Sequence, residues 1–586
     1  MKKIGIGYEN YKEFVDGSMY YVDKTMLASE ILKKGGKVTL FTRPRRFGKT
    51  LALSMLQTFF EEEVSSDGTT VDNSRYFGGM KILNADKDVL DKMGRYPVIR
   101  LSLKSARQPG FYAAFMALRE EIVSEYIRHN YVLHSDELDA DIKASYLAIK
   151  GSISDWAAKQ NSLSNKEEQE KAFTREISKF ATSIKTLSLV LKAYHEKNVI
   201  ILIDEYDVPL ENAYYHGFYD DMVGFIRSLF ESALKTNDAL EFAVVTGCLR
   251  ISKESIFTGL NNLKVNSILS GDFAEAFGFN ESETLKMLED YNLSDSAPEV
   301  RNWYDGYLFG ESEVFNPWSV ASYVDGKVNG KQKLPKPYWS NTSSNSIIKD
   351  LVENADNSVK EELDRLVLGG SIEKQIHEDI TYEDIYKSED NLWNFLFFTG
   401  YMKKVSERII GEDIFITMTI PNVEIKSIYR NQIIEWFNRK VKETDFAPLY
   451  PAIKEKNTKT IEEFIRTLLQ KSISYFDGQE SFYHGFFLSL LYGMPGYVPK
   501  SNREEGEGRP DVILLPDRAK DPAYIFEIKV RKKYNEMPEG LQEAFDQIKD
   551  KKYEEGVLED GYNRVISFGI CFCKKDCVVG CTHDFT

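Results

Sequence analysis

Five consecutive large apolar residues, Val199–Ile203, run directly into two acids. A run without polar alternation is typical of a strand that is buried on both faces, as in a parallel sheet covered by helices. A second short apolar stretch follows at Glu241–Thr246. Residues 165–195 and Asp221–Leu234 carry apolar side chains at three-to-four spacing, which predicts one long helix before the first strand and another between the strands. This alternation predicts an α/β fold around a parallel sheet.

A strand, a loop and a helix also follow one another near the N-terminus. Lys37–Thr42 is β-rich, the loop after it ends in Gly-Lys-Thr, and a helical pattern extends over Leu51–Glu63. A helix that begins at such a loop offers free backbone N–H groups and the positive end of its dipole to a phosphate. The order predicts a P-loop in which Lys49 reaches the β- and γ-phosphates and Thr50 holds Mg²⁺.

The loop departs from the common P-loop pattern at its start. Arg43 stands where the first glycine is expected, and Gly-Lys-Thr alone is a weak signal. Arg43, Arg45 and Arg46 raise the local positive charge, which suits an anion site.

The two acids after the first strand supply the other half of a nucleotide site. Asp204 would hold Mg²⁺ through water, and Glu205 would polarise the attacking water, because phosphoryl transfer is catalysed mainly by positioning and charge neutralisation. The second strand ends at Thr246, whose hydroxyl would sense the γ-phosphate, and Arg250 lies just beyond it. The sequence therefore predicts a nucleotide site with Mg²⁺.

Several runs resemble the bacterial AAA-ATPase-like family. They are Tyr20-Tyr-Val-Asp-Lys-Thr25, Arg43-Pro-Arg-Arg-Phe-Gly-Lys-Thr50, Ile203-Asp-Glu-Tyr-Asp207, Ser255-Ile-Phe-Thr-Gly-Leu-Asn-Asn262 and Asn316-Pro-Trp-Ser319. That family shares the departure at Arg43. The resemblance covers roughly residues 1–320, with the ATPase domain expected at 1–280. It implies an ATP site at Gly48, Lys49 and Thr50, with Asp204 and Glu205 as the acidic pair. The other candidate cofactor-binding residues are Arg45, Arg46 and Phe47 of the loop, with Thr246 and Arg250.

A different unit is expected from about residue 475. A helix at Ser481–Tyr492 is followed by strands at Asp511–Leu515 and Ala523–Val530, a helix at Leu541–Lys552 and a last strand at Arg564–Phe572. If residues 516–522 form the turn between the first two strands, Asp511 lies opposite Glu527, and Lys529 shares its face. The alternative interpretation is a surface hairpin with one weak Glu–Lys pair.

Two carboxylates this close repel each other unless a cation lies between them. Hard oxygen ligands suit Mg²⁺ or Mn²⁺, and such a cation lowers the pKa of a bound water and neutralises charge on a phosphate. Asp511 and Glu527 are therefore the expected metal ligands, and Lys529 would orient the water or stabilise the pentavalent centre.

Arg509-Pro-Asp511 and Glu527-Ile-Lys529 together resemble the PD-(D/E)XK nuclease superfamily, over about residues 475–586. The resemblance implies a mixed α/β, restriction-endonuclease-like domain. It also implies a catalytic set of Asp511, Glu527 and Lys529, with Glu504 and Gln547 as auxiliaries. The choice of Glu504 over Glu505 stays open.

Composition limits the remaining possibilities. The chain has 586 residues, a formal net charge of −16 and five cysteines. This charge excludes a wholly basic protein that coats nucleic acid but allows a local basic groove. No apolar stretch reaches the ~18 residues of a membrane helix, and few cysteines in a long chain predict a cytoplasmic protein. Residues 281–474 are expected to be mostly helical, with a possible β-pair at Tyr401–Val405 and Ile414–Thr419.

The two motif sets predict an ATP-binding, ATP-hydrolysing protein with a metal-dependent nuclease domain. The expected partner is nucleic acid, in particular DNA, without a membrane, and a homo-oligomer is possible. The alternative is an ATP-driven switch whose nuclease-like domain only binds nucleic acid or a protein. A third interpretation is an ATPase that acts on protein, with a purely structural hairpin.

Overall fold

The computed structural model describes most of residues 1–586. The residues that it does not describe are 136–137, 154–155, 157–164, 251–255, 258–259, 331, 340–347, 350, 352, 354–356, 379–380, 386, 444, 447, 471–479, 502–507, 519 and 583–586. Within the described part of the chain, no helix is both long and apolar enough to cross a membrane.

The strands are β1 (Val38–Thr42), β2 (Glu63–Val64), β3 (Thr70–Val71), β4 (Val98–Ser102), β5 (Val199–Asp204), β6 (Leu240–Gly247), β7 (Leu263–Asn266), β8 (Tyr307–Phe309), β9 (Ser312–Val314), β10 (Ile372–Gln375), β11 (Lys403–Ile410), β12 (Asp413–Thr419), β13 (Tyr497–Ser501), β14 (Val512–Pro516), β15 (Ala523–Val530), β16 (Val565–Cys573) and β17 (Asp576–Cys581).

The helices are α1 (Tyr11–Asp16), α2 (Leu27–Lys34), α3 (Lys49–Phe60), α4 (Lys87–Leu90), α5 (Phe111–Arg128), α6 (Ala140–Lys150), α7 (Lys166–Ala181), α8 (Ser183–His195), α9 (Val208–His216), α10 (Tyr219–Phe230), α11 (Glu281–Asp290), α12 (Ala297–Tyr304), α13 (Pro317–Val328), α14 (Asn357–Val367), α15 (Glu389–Phe398), α16 (Val423–Glu443), α17 (Leu449–Lys454), α18 (Thr458–Gln470), α19 (Glu480–Leu491), α20 (Met537–Asp550) and α21 (Tyr553–Glu559).

The chain divides into two units. The first comprises Met1–Ser343 and Ser371–Ser427, and the second comprises Ser344–Gly370 and Ile428–Thr586. The boundaries expected at 280 and 474 stay a prediction.

A parallel five-stranded sheet lies at the centre of the first unit, in the order β4-β5-β6-β1-β7. Every residue of β1 and β5 is buried, which confirms the expectation from the apolar run at Val199–Ile203. Because β6 lies between β1 and β5, the carboxyl ends of these three strands meet at one edge of the sheet. This edge is where open α/β sheets place their ligands.

The expected long helix over residues 165–195 is two helices, α7 and α8, which separate at Thr182. The Oγ of Ser232 donates a hydrogen bond to the carbonyl oxygen of Ala181 at 2.6 Å. A side chain that inserts into the helix ladder in this way can break it. Apolar spacing does not reveal the break, because Phe180 and Ile184 continue the same buried stripe.

The middle of the chain holds many helices, as expected, together with a small sheet. The expected β-pair is present as β11 and β12, which pair antiparallel. The unexpected β10 pairs with the other edge of β12. Its sequence, Ile-Glu-Lys-Gln, carries one apolar residue and gives no strand signal.

The second unit contains a mixed five-stranded sheet in the order β13-β14-β15-β16-β17. Only β15 and β16 pair in parallel among these neighbours. The expectation of a mixed α/β fold is confirmed, but the strand near Arg564–Phe572 is not the last, because β17 follows it. The sheet also has the additional edge strand β13, whose Pro499 weakens a strand signal in sequence.

Candidate functional site

The phosphate loop joins the carboxyl end of β1 to α3. Gly48 has a φ of +83° and precedes α3, which begins at Lys49. A side chain is strained at such a φ, so glycine suits this position. The Nζ of Lys49 donates to the carbonyl oxygens of Arg43 at 2.7 Å and Pro44 at 2.9 Å. The loop thus places an ammonium group beside the free N–H groups of a helix N-terminus.

Arg43 turns away from this loop and is fully buried. Its guanidinium donates to the carbonyl oxygens of Thr42 and Asn266 and lies over the rings of Phe277 and Phe309, 5.7 and 5.0 Å from their centroids. Burial lowers the pKa of Arg43 to about 9. The expectation that Arg43 contributes to an anion site is therefore wrong. The side chain instead ties the end of β1 to the end of β7.

Three further residues of the loop, Arg45, Arg46 and Phe47, have separate surroundings. Arg45 forms an ion pair with Glu211 of α9. The exposed guanidinium of Arg46 lies 4.4 Å from the ring centroid of Trp318. Phe47 is buried in edge contact with Tyr307. The side chains of Arg45 and Arg46 therefore stay at the surface of the phosphate loop, whereas the buried side chain of Phe47 anchors the loop.

The acidic pair lies at the carboxyl end of β5. Asp204 is buried and accepts hydrogen bonds from the Oγ1 of Thr246 and from the backbone N–H of Glu205. Glu205 has a φ of +52°, a backbone conformation that is uncommon for a residue with a side chain. Burial, together with the charge of Asp204, raises the pKa of Glu205. A carboxylate of raised pKa is a better proton acceptor.

A cavity of about 400 Å³ opens beside the phosphate loop. Lys49, Thr50 and Glu205 line it together with Trp318 and the N-terminal residues 4–9. This volume lies within the ~300–1,000 Å³ of ordinary ligand pockets. The tertiary structure therefore places the predicted phosphate-binding residues Lys49 and Thr50 and the predicted water-activating residue Glu205 around one ligand-sized cavity. Asp204 and Thr246 are buried.

Sequence reasoning assigned no role to Asp207, although it lies in a matched run. Its carboxylate accepts hydrogen bonds from the backbone N–H groups of Cys248 at 2.7 Å and Leu249 at 3.2 Å. Asp207 thereby fixes the chain that leaves β6 toward Arg250. Arg250 itself forms an ion pair with Glu378, with 3.2 Å between Nη1 and Oε2. No local signal indicates either contact, because each joins residues far apart in sequence.

A second site lies on the hairpin of β14 and β15. Val512 pairs with Phe526, and the same register continued by one residue places Asp511 opposite Glu527, as the turn position predicts. The Oδ2 of Asp511 accepts a hydrogen bond from the backbone N–H of Ile528 at 2.8 Å. The carboxylate is thus held against the strand that carries Glu527.

Lys529 lies between two acceptors. Its Nζ donates to the Oε1 of Glu527 at 3.1 Å and to the Oε1 of Gln547 at 2.7 Å. Gln547 comes from α20, and its Nε2 donates to the hydroxyl of Tyr553 at 3.3 Å. The structure therefore brings together Asp511, Glu527, Lys529 and Gln547, whereas Glu504 and Glu505 lie outside the described residues.

Glu527 is 1% exposed, and its Oε2 has no hydrogen-bond partner in the described part of the chain. Burial, and then the charge of Asp511, raise the pKa of Glu527 to about 7. Burial also raises the pKa of Asp511. A divalent cation would satisfy the unpartnered oxygen and favour both ionised forms, so these residues fit Mg²⁺ or Mn²⁺. The described residues contain no cluster of three or more candidate ligands.

His484 on α19 also contacts this site. Its Nε2 lies 2.7 Å from the carbonyl oxygen of Asp511 and 3.0 Å from the Oγ of Ser501. The imidazole therefore holds the backbone at Asp511 rather than the carboxylate. The sequence does not show which atom the ring contacts, because His484 lies on α19 and Asp511 lies directly before β14.

Comparison with known proteins gives two family matches, one over each segment that carries a candidate site. Residues 5–257 match the family model described as a predicted AAA-ATPase, and residues 478–581 match that of the PD-(D/E)XK nuclease superfamily. The chain is 24% identical over 565 residues to "Uncharacterized protein in vnfD 5'region" of Azotobacter chroococcum, covering 94% of this chain and 93% of that protein.

A solved structure, the Walker-type ATPase PABY2304 of Pyrococcus abyssi, is 14% identical to this chain. The match covers 70% of this chain and 94% of the other, with a TM-score of 0.35. An N-terminal segment of the chain thus matches the AAA-ATPase-like family model, and a C-terminal segment matches the PD-(D/E)XK nuclease superfamily model.

Proposed function

We propose that the protein binds and hydrolyses ATP at the phosphate loop and cleaves DNA phosphodiester bonds, in a metal-dependent reaction, at the β14–β15 hairpin. The observation that carries the nuclease proposal is the buried Oε2 of Glu527 opposite Asp511; this oxygen has no hydrogen-bond partner among the residues that the structure describes. A buried polar atom without a partner is costly in a purely structural hairpin, and a cation site explains it.

At the ATP site, each residue has a distinct proposed role. Gly48, Lys49 and Thr50 bind the phosphates, with Arg45 and Arg46 adding positive charge beside them. Glu205 accepts a proton from the attacking water, which its raised pKa favours. Thr50 and Asp204 are the proposed Mg²⁺ ligands, and Thr246 positions Asp204 through its hydrogen bond.

At the nuclease site, Asp511 and Glu527 would hold Mg²⁺ or Mn²⁺, which supplies charge neutralisation and a more acidic water. Glu504 is a further proposed auxiliary. Lys529, oriented by Gln547, binds and orients the attacking water or the scissile phosphate. His484 keeps the backbone of Asp511 in place.

Cleavage of linear, circular and single-stranded DNA tests the proposal. The reactions contain Mg²⁺ or Mn²⁺, with and without ATP, and compare the parent with Asp511→Ala and Lys49→Ala. We expect Asp511→Ala to abolish cutting and Lys49→Ala to abolish ATP hydrolysis. Asp517→Ala, an exposed acid at the turn of the same hairpin, is the matched control and should cut normally.

Two outcomes contradict parts of this proposal. Cutting that survives in Asp511→Ala would place the nuclease elsewhere or in a contaminant. Intact ATP hydrolysis without cutting of any substrate would favour the alternative function, an ATP-driven switch whose nuclease-like domain only binds.

A further inference from the structure

Helix α16 belongs to both units. Its first residues, 423–427, are part of the first unit, and from Ile428 onward it is part of the second. The helix is continuous over 21 residues, a length of about 30 Å. The helix therefore connects its N-terminal turn covalently to the unit that contains the proposed nuclease site.

The N-terminal turn of α16 is anchored by a buried carboxylate. Glu424 is fully buried, and its two oxygens accept hydrogen bonds from the Oγ of Ser319 at 2.8 and 3.0 Å. The backbone N–H of Trp339 donates to the same carboxylate at 2.9 Å. Asn422 adds a second anchor, because its Nδ2 donates to the carbonyl oxygen of Asp305 at 2.7 Å. All these partners belong to the first unit.

Ser319, which anchors Glu424, is the sequence neighbour of a residue that lines the cavity beside the phosphate loop. Ser319 follows Trp318 in the first turn of α13, and Trp318 lines the cavity beside Lys49. The ring of Trp318 lies under the guanidinium of Arg46 at 4.4 Å. A bound triphosphate would compete for this guanidinium, since charge-assisted hydrogen bonds to phosphate are stronger than a cation–π contact at an exposed site.

We propose that Arg46, Trp318, Ser319 and Glu424 form a relay that couples the nucleotide state of the phosphate loop to the nuclease unit through α16. When phosphate draws Arg46 away, Trp318 moves, and the hydrogen bonds between Ser319 and Glu424 rearrange at the start of α16. Glu424 is a positioning residue in this relay and touches neither substrate. The inference rests on the proposed function.

Two variants test the relay, each with a matched control in the same helix. Ser319→Ala removes the donor on α13, with Ser322→Ala one turn later as its control. Glu424→Gln keeps the shape of the side chain but replaces one accepting oxygen with a donating NH₂ group. Its control is Glu435→Gln, because Glu435 is exposed on the same helix. We expect the ratio of DNA cleavage with ATP to cleavage without ATP to fall by on the order of fivefold or more, toward one, in Ser319→Ala and Glu424→Gln. The control variants should keep the parent ratio, and ATP hydrolysis should stay within about twofold in all four.

Hydrogen–deuterium exchange gives a readout that does not need nuclease activity. In the parent, ATP should change the amide exchange of residues 423–433, and Ser319→Ala should lose that change while still binding ATP. ATP binding by the parent with no change in these amides would overturn the relay. A parent that does not bind ATP would instead refute the proposed ATP site, so the two failures are distinguishable. A variant that unfolds is recognised by its thermal transition, and Trp318→Leu then tests the same step from the cavity side.

Discussion

At both proposed sites, the role of a residue depends on the groups that its side chain contacts as well as on its residue type. Lys49 is held by loop carbonyl oxygens and Asp207 by two backbone N–H groups, whereas one oxygen of Glu527 has no hydrogen-bond partner within the described ranges. The surroundings of Glu527 and Asp207 each lead to a prediction that can be tested without knowing the nucleic-acid substrate.

The pKa of Glu527 predicts how stability depends on pH. This pKa is raised from its ordinary 4.5 to about 7 in the folded chain. Protonation of Glu527 therefore contributes its full amount to the unfolding free energy below about pH 4.5, and this contribution is lost as the pH rises through about 7. We expect the parent to lose up to about 3 kcal/mol of unfolding free energy relative to Glu527→Gln between about pH 5 and 8, without divalent metal. Urea unfolding measures this difference, and parallel pH profiles of the two proteins would contradict it.

Asp207→Ala should lower ATP hydrolysis more than ATP binding. The substitution leaves the N–H groups of Cys248 and Leu249 without their acceptor, so the chain after β6 loses its fixed position. The hydrogen bonds from Lys49 to the loop carbonyl oxygens do not involve Asp207. The loss of stability should be about 1–3 kcal/mol. Comparison of kcat with the Kd for ATP measures the effect, and Asp220→Ala, an exposed acid on α10, is the control. An equal loss of binding and turnover would show that Asp207 supports the whole site.

At the scale of elements, the order of strands explains how the ATP site forms. β6 separates β1 from β5, so Thr246 can reach Asp204 while Lys49 lies near Cys248, with 3.6 Å between Nζ and Sγ. Arg43 joins β1 to β7 on the other side, which explains why arginine rather than glycine suits this position.

Restoring a glycine at position 43 should therefore harm the protein. Arg43→Gly removes hydrogen bonds to two strand ends and leaves a space between Phe277 and Phe309, so we expect a loss of about 2–4 kcal/mol in urea unfolding and no gain in ATP affinity. Arg46→Gly, an exposed position in the same loop, should cost little stability. Tighter ATP binding by Arg43→Gly would contradict the structural role.

At the scale of the whole molecule, the second unit is assembled from two separate stretches of chain. Residues 344–370 belong to it, although residues 371–427, which follow them, belong to the first unit. Helix α14 contributes the buried Leu363 and Leu366 to this unit. The unit that contains the nuclease-superfamily match therefore includes a helix more than a hundred residues before that match.

Leu363→Ala should damage the nuclease unit selectively. Removing this fully buried side chain should cost about 2–5 kcal/mol, so nuclease activity should fail at a lower temperature while ATP hydrolysis persists. Leu368→Ala is the matched control because Leu368 is 62% exposed in the same segment. Thermal inactivation of the two activities in parallel measures the effect, and their joint loss would show that the units unfold as one.

The sequence alone determined the features that depend on local order. The apolar run at Val199–Ile203 predicts a doubly buried strand, the strand–loop–helix order around Gly48 predicts a phosphate loop, and the turn position predicts Asp511 opposite Glu527, because neighbouring residues set these patterns. Only the tertiary structure decided where Arg43 points, what Asp207 and Glu424 bind, and which unit holds residues 344–370. Those outcomes arise from packing between segments far apart in the chain, which neither periodicity nor motif spacing records.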